Sequence, residues 1–131
     1  MNKIASICCT LLFSASMAVP LLAHASVEAD MKAMSKALRS ASTATDAATM
    51  QSSLAALKEA TLKAKSDVPD GMKDQAADSP ARKTYTEGLD SVLQQVDAAK
   101  ALIDAGKLDE AKAAIKAIND TKKSYHQKLG V

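Results

Sequence analysis

The sequence predicts an all-α protein, an antiparallel up-down-up-down four-helix bundle preceded by a cleavable signal peptide. Three observations carry that reading. Alanine is abundant, prolines fall only at breaks, and no alternating β-branched run occurs. Four separate segments repeat apolar residues at intervals of three and four, the spacing of one helix face. Ahead of them stands an apolar stretch that ends in a small-residue cleavage pattern.

That first stretch opens with Met1-Asn2-Lys3, a short positive start, and runs from Ile4 to Leu22 without an acidic or basic residue. Ala23-His24-Ala25 then supplies the small-x-small site. Residues 1–25 are expected to be the signal peptide and residues 26–131 the bundle, exported to the periplasm. A membrane-spanning helix is the competing reading, since the run approaches the ~20 residues a span needs. Ser, Thr and Pro interrupt it, however, and no positive flank follows.

Cleavage would remove Cys8 and Cys9, leaving no cysteine for a disulfide, an Fe–S cluster or a thiolate metal site. Sixteen Lys and Arg would then face fifteen Asp and Glu, too even a balance for a nucleic-acid partner. Tyr85 and Tyr125 would be the remaining aromatics, so the core must be built from Ala, Leu, Ile, Val and Met. At this length such a core is feasible but modest.

The first helix is expected from about Val27 to Ser42, with Val27, Met31, Met34, Leu38 and Ala41 on one face. Thr45 or Asp46 can cap the second, which carries Met50, Leu54, Leu57 and Thr61 to about Lys65. Ser66 to Ser79 contains Pro69, Gly71 and several acids and reads as the one long loop. Ser79-Pro80, a cap followed by proline at the first helical position, starts the third helix. Its face is Tyr85, Leu89, Val92, Leu93, Val96, Ala99 and Ile103, and Gly106 ends it. The fourth follows at once, with Leu108, Ala111, Ile115, Ile118, Lys122, Tyr125 and Leu129. Each helix has one apolar stripe and a charged back, so the four must share a core. Two short connections force antiparallel neighbours, and the long middle loop fits either a tight return or a crossover, up-down-up-down being the simpler choice.

In that topology the start of the first helix lies beside the end of the fourth. At ~1.5 Å per residue, Met31, Leu57 to Thr61, Tyr85, Leu89 and His126 fall in one layer. His126, the only histidine after residue 25, shares a face with Lys122, Ile118 and Ile115. An inward thioether opposite an inward imidazole suits an iron porphyrin: the imidazole nitrogen donates strongly, and the soft sulfur favours ferrous iron. Both axial positions would be filled, which points to electron transfer rather than catalysis. Without cysteine, haem would be held by ligation and packing alone, as a b-type group. On pattern alone a second reading stays open, with Met31 as core filler beside Met34 and His126 as a solvated helix-end residue.

The residues carry a family likeness. Tyr125-His126-Gln127-Lys128, Asp78-Ser79-Pro80, Gly88 and Asp90, Gly106-Lys107, and Glu28 three residues before Met31 resemble cytochrome b562, the soluble periplasmic four-helix haem protein. The resemblance covers residues 26–131. It implies one non-covalent haem b per chain, with Met31 and His126 on the family's methionine and histidine ligands. Met34, Leu57, Thr61, Tyr85, Leu89 and Lys122 are then the expected surround. It also implies unidentified redox partner proteins, and a monomer free of the membrane is expected. Tyr85 and Leu89 stand where the family has two phenylalanines, and Lys122 replaces an arginine, keeping the charge but not the planar fork.

Other chemistry has little support. No CxxCH, HExxH, paired zinc-ligand spacing, Ser/His/Asp set or Gly-rich phosphate loop is present, so no enzyme is expected. The alternative functions are a haem-free periplasmic bundle acting as a binding or stress-related helper, and a low-affinity haem or metal scavenger.

Overall fold

The computed structural model describes residues 26–131, and the expected signal peptide, 1–25, lies outside the described residues. Four helices follow one another: α1 (Val27–Thr43), α2 (Ala47–Ser66), α3 (Pro80–Asp104) and α4 (Leu108–Leu129). A 3₁₀ turn, Asp70–Met72, interrupts the long loop between α2 and α3.

The helix starts are set by side chains that satisfy the first unpaired N–H groups. Ser26 Oγ accepts from Ala29 N–H at 3.4 Å. Of the two candidates before α2 it is Asp46 that caps, with Oδ1 accepting from Thr49 N–H at 2.8 Å and Oδ2 from Thr49 Oγ1–H at 2.7 Å. These bonds hold its carboxyl below the usual carboxylate range. Ser79 Oγ caps α3 through Arg82 N–H, with Pro80 at the first helical position. α3 ends as Gly106 turns to φ +74°. Gly106 N–H then bonds Ile103 C=O and Lys107 N–H bonds Leu102 C=O, a Schellman closure that turns the chain straight into α4.

Cross-helix bonds fix the register. Ser40 and Ser53 hydroxyls pair at 2.8 Å between α1 and α2. Lys58 Nζ meets Asp97 Oδ1 at 2.7 Å, Lys65 pairs with Asp90, and Gln51 Nε2 donates to Asp104 Oδ1 at 2.7 Å, all between α2 and α3. Gln95 Nε2 donates to Thr121 Oγ1 at 2.9 Å between α3 and α4. The pairs 51–104, 58–97 and 65–90 between α2 and α3, and 91–125 and 95–121 between α3 and α4, run in opposite directions. With the short turn from α1 to α2 the bundle is up-down-up-down.

The core is densest where α1 passes to α2 and α3 to α4. Met50, Leu54, Val96, Ala99, Ala111 and Ile115 are at most 1 % exposed there. The expected faces are largely those buried, with two differences. Asp30 is turned inward at 6 % exposure while Met31 is only partly buried, and Leu93 is half-exposed on the rim of α3. Beyond Ile118, no residue of α4 is fully buried, although its stripe continues through Lys122, Tyr125 and Leu129. The bundle is therefore filled at one end and open at the other. No described helix is long and apolar enough to cross a membrane.

Candidate functional site

Two adjoining cavities occupy the open end. The larger, about 990 Å³ and open to solvent, lies between the first turns of α1, the loop from Asp67 to Lys73 and the end of α4. The smaller, about 60 Å³, lies deeper among α1, α3 and α4, with Met34, Leu89 and Val92 in its walls. Met31, Ser35, Tyr85, His126 and Leu129 line both and form the partition between them. Ligand clefts for organic molecules fall at about 300–1,000 Å³, so the larger space is of cofactor size.

Tyr85 answers the question its hydroxyl raises. It donates to Ala64 C=O at 2.6 Å in a buried bond. Ala64 is in the last turn of α2, where carbonyls lack partners within the helix, so the tyrosine closes α2 and fixes its own ring against the cavities. Burial, and then the nearby carboxylates of Asp67 and Asp30, push its pKa up to about 12, so it remains a neutral donor.

On α4, Gly88 of α3 decides the layout. A Cβ at Gly88 would come within 2.8 Å of Tyr125 Cγ, so only glycine lets that ring settle against α3. Tyr125 Oη lies 3.4 Å from Ser91 Oγ, and Lys128 Nζ lies 4.4 Å from the ring centroid. Consecutive helical side chains diverge by about 100°. With Tyr125 committed to α3, His126 is directed to the α1 side, into the cavities that Met31 also lines. One turn earlier, Lys122 Nζ donates to Ser35 Oγ at 3.3 Å, a side-chain bond that joins α1 to α4.

Of the residues expected around the site, Met31, Met34, Tyr85, Leu89, Lys122 and His126 line one or both cavities. Leu57 and Thr61 line neither. They are at most 1 % exposed within the core, and Thr61 Oγ1 is engaged by Leu57 C=O at 2.7 Å. Sharing the axial level of Met31 does not bring them to the cavity wall, because α2 presents them to the packed interior. Gly88, Ser35, Leu129 and Met72 belong to the walls and were not singled out as site residues. Leu129 was legible as the last member of the α4 stripe, whereas Met72 had no signal beyond a loop containing proline and glycine. Among the described residues no three of His, Cys, Asp or Glu converge as a metal site.

The cytochrome b562 family model matches residues 26–129. The chain belongs to the cytochrome b562 family. It is similar to two proteins of Yersinia pestis. One, named probable soluble cytochrome b562 2, is 35 % identical over 108 residues, covering 82 % of this chain and 84 % of the relative. The other, named probable soluble cytochrome b562 1, is 30 % identical over 104 residues, covering 79 % and 82 %. Cytochromes b562 are electron-carrier proteins built on a four-helix bundle, and membership implies a b-type haem cofactor. The residues present fit such a group: a thioether and an imidazole share one partition, the inner wall is largely apolar with the rings of Tyr85 and Tyr125 in it, and the outer cleft is wide. The departures from the family pattern are accommodated locally, with the Tyr85 hydroxyl partnered by Ala64 and the Lys122 ammonium tied to Ser35.

Proposed function

We propose that this chain is a periplasmic electron carrier that holds one haem b non-covalently, with Met31 and His126 as its axial iron ligands. The observation that carries the reading is that both side chains line the same two cavities, from the neighbouring helices α1 and α4. Residues 1–25 would serve export, leaving residues 26–131 as the carrier. Haem held by Met31 and His126 would supply a one-electron Fe(III)/Fe(II) couple.

The protein's own work is to hold and exclude. Gly88 and Tyr125 orient the His126 turn, Tyr85 fixes the inner wall, and Leu89, Val92 and Met34 keep water from the deep side. Lys122, which lines the inner cavity and bonds Ser35, would offer its ammonium to a haem carboxylate there. The inner cavity, at about 60 Å³, holds no porphyrin as it stands, so a haem would enter through the larger cleft and part the α1/α4 seam. That narrowness is also what favours the rival reading of a haem-free helper protein.

Absorption spectra of the haem-loaded protein and of Met31→Ala, Met34→Ala and His126→Ala test the assignment. Low-spin Soret and α bands lost in the first and third variants and kept in Met34→Ala are expected. Bands unchanged in either ligand variant would overturn it, as would loss in Met34→Ala alone. A protein that stays colourless with haem in excess would favour the helper reading.

A further inference from the structure

The two open flanks of the bundle differ in how their charges are settled. Along the α2/α3 seam, Lys58 and Lys65 are each matched across the helices, by Asp97 and Asp90. The α1/α4 seam is the opposite case. On α1, Glu28, Lys32, Ser35 and Arg39 follow at intervals of four, three and four, and Ser35 marks that row as facing α4 through its bond to Lys122. On α4, Lys112, Lys116, Asn119, Lys123 and His126 follow at four, three, four and three. This row ends in the histidine that shares the cavities with Met31, while the α3 flank is marked by Thr121 and Tyr125.

Among the described residues, Lys32, Arg39, Lys116, Lys122 and Lys123 make no ion pair, and Lys112 has only Asp109 at 3.9 Å. The unpaired carboxylates nearby are Glu28 on the α1 row and Asp120 one row back on α4. Asp67 and Asp70 line the far, loop side of the large cleft, where Asp70 is paired with Lys73. The charge is local: residues 26–131 are balanced to within one unit, so a field of this sign is not a property of the whole molecule.

Resting on the haem reading above, we infer that the α1/α4 seam is the docking surface for an acidic redox protein, which exchanges electrons at the cavity mouth between Lys32 and Lys123. A single electron passes between the partner's centre and the iron, one oxidised as the other is reduced. Unpaired cations beside the mouth give orientation and on-rate rather than a tight complex, which suits a partner that must leave after each transfer.

The test uses the full haem-loaded protein in stopped flow. Ferrous protein is oxidised by ferricyanide, an anion, and by tris(phenanthroline)cobalt(III), a cation. Between about 0.01 and 0.5 M ionic strength the ferricyanide rate constant is expected to fall by roughly tenfold and the cobalt rate constant to rise. The double variant Lys116→Glu/Lys123→Glu, outside both cavities, should reverse both trends, and Lys100→Glu on the other seam should leave them as they are. Equal salt dependence for the two oxidants, or no response to the double variant, would overturn the inference.

A second measurement is independent of haem. The ¹⁵N-labelled full chain is titrated with oxidised plant-type ferredoxin, an acidic protein. Shifts confined to the Lys32–Arg39 and Lys116–His126 rows support the surface even if the haem assignment fails. Shifts elsewhere, or none together with sedimentation on phosphatidylglycerol vesicles at about 0.15 M salt, overturn it, the last in favour of a lipid surface.

Discussion

The two ends of this bundle are built from the same aliphatic residues and packed in opposite ways. At the closed end Met50, Leu54, Val96, Ala99 and Ala111 exclude solvent completely, and a tight Schellman turn holds α3 to α4. At the other end Met31, Tyr125, His126 and Leu129 continue the same helical faces but stay partly exposed around two cavities. The difference lies in what joins the helices. The closed end has short connections, whereas the open end has a long loop, and among the described residues a single side-chain hydrogen bond, Lys122 to Ser35, ties α1 to α4. Tight packing is thus concentrated at the closed end, and the cavities of the other end leave room for a ligand.

Emptying the closed end should have the largest effect. Leu54→Ala removes a wholly buried side chain and is expected to cost about 2–5 kcal/mol in chemical denaturation. Leu129→Ala, on a half-buried residue of the cavity wall, should cost about 1 kcal/mol or less. In haem titrations the order should invert, with Leu129→Ala weakening uptake more than Leu54→Ala. If both variants lose stability equally, the contrast between the ends is wrong.

Gly88→Ala probes the boundary between them. Its methyl group would meet Tyr125 Cγ at 2.8 Å, so the ring must move and the His126 turn with it. A loss of about 1–3 kcal/mol is expected from overpacking, together with a shifted haem spectrum. An unperturbed spectrum would show that Tyr125 does not orient His126.

Tyr85→Phe should cost no more than that, about 1–3 kcal/mol, because it leaves Ala64 C=O buried without its donor. The ring remains, so haem uptake should change little. The pH dependence sharpens this prediction. Tyr85 holds its proton more tightly folded, at about 12, than at its ordinary value of 10.0. Its contribution is complete below about pH 10 and is lost as pH rises towards 12. Denaturation midpoints followed over that window should fall less steeply in Tyr85→Phe than in the unmodified protein.

Much of this was legible in the residues themselves. Ser79-Pro80 and Gly106 mark helix boundaries by chemistry that acts within a few residues, and both hold. The apolar stripes locate the core because a 3.6-residue period fixes which face turns inward. The cavity walls were less accessible. Leu57 and Thr61 share the level of Met31, yet α2 packs them into the core, since axial height does not say which neighbour a side chain meets. Asp30 turns inward while Met31 borders the cleft, a rotation of α1 that its polarity pattern alone would assign the other way. Met72 reaches the cleft through the path of a long loop, which no periodicity encodes.

The proposed role of the open end is to hold an iron porphyrin between Met31 and His126. It is tested by titrating haem into the haem-free protein and following the Soret band. A break at one equivalent per chain and, on reduction, a sharp low-spin α band are expected. A featureless rise without a break, or a high-spin spectrum in the unmodified protein, would contradict it.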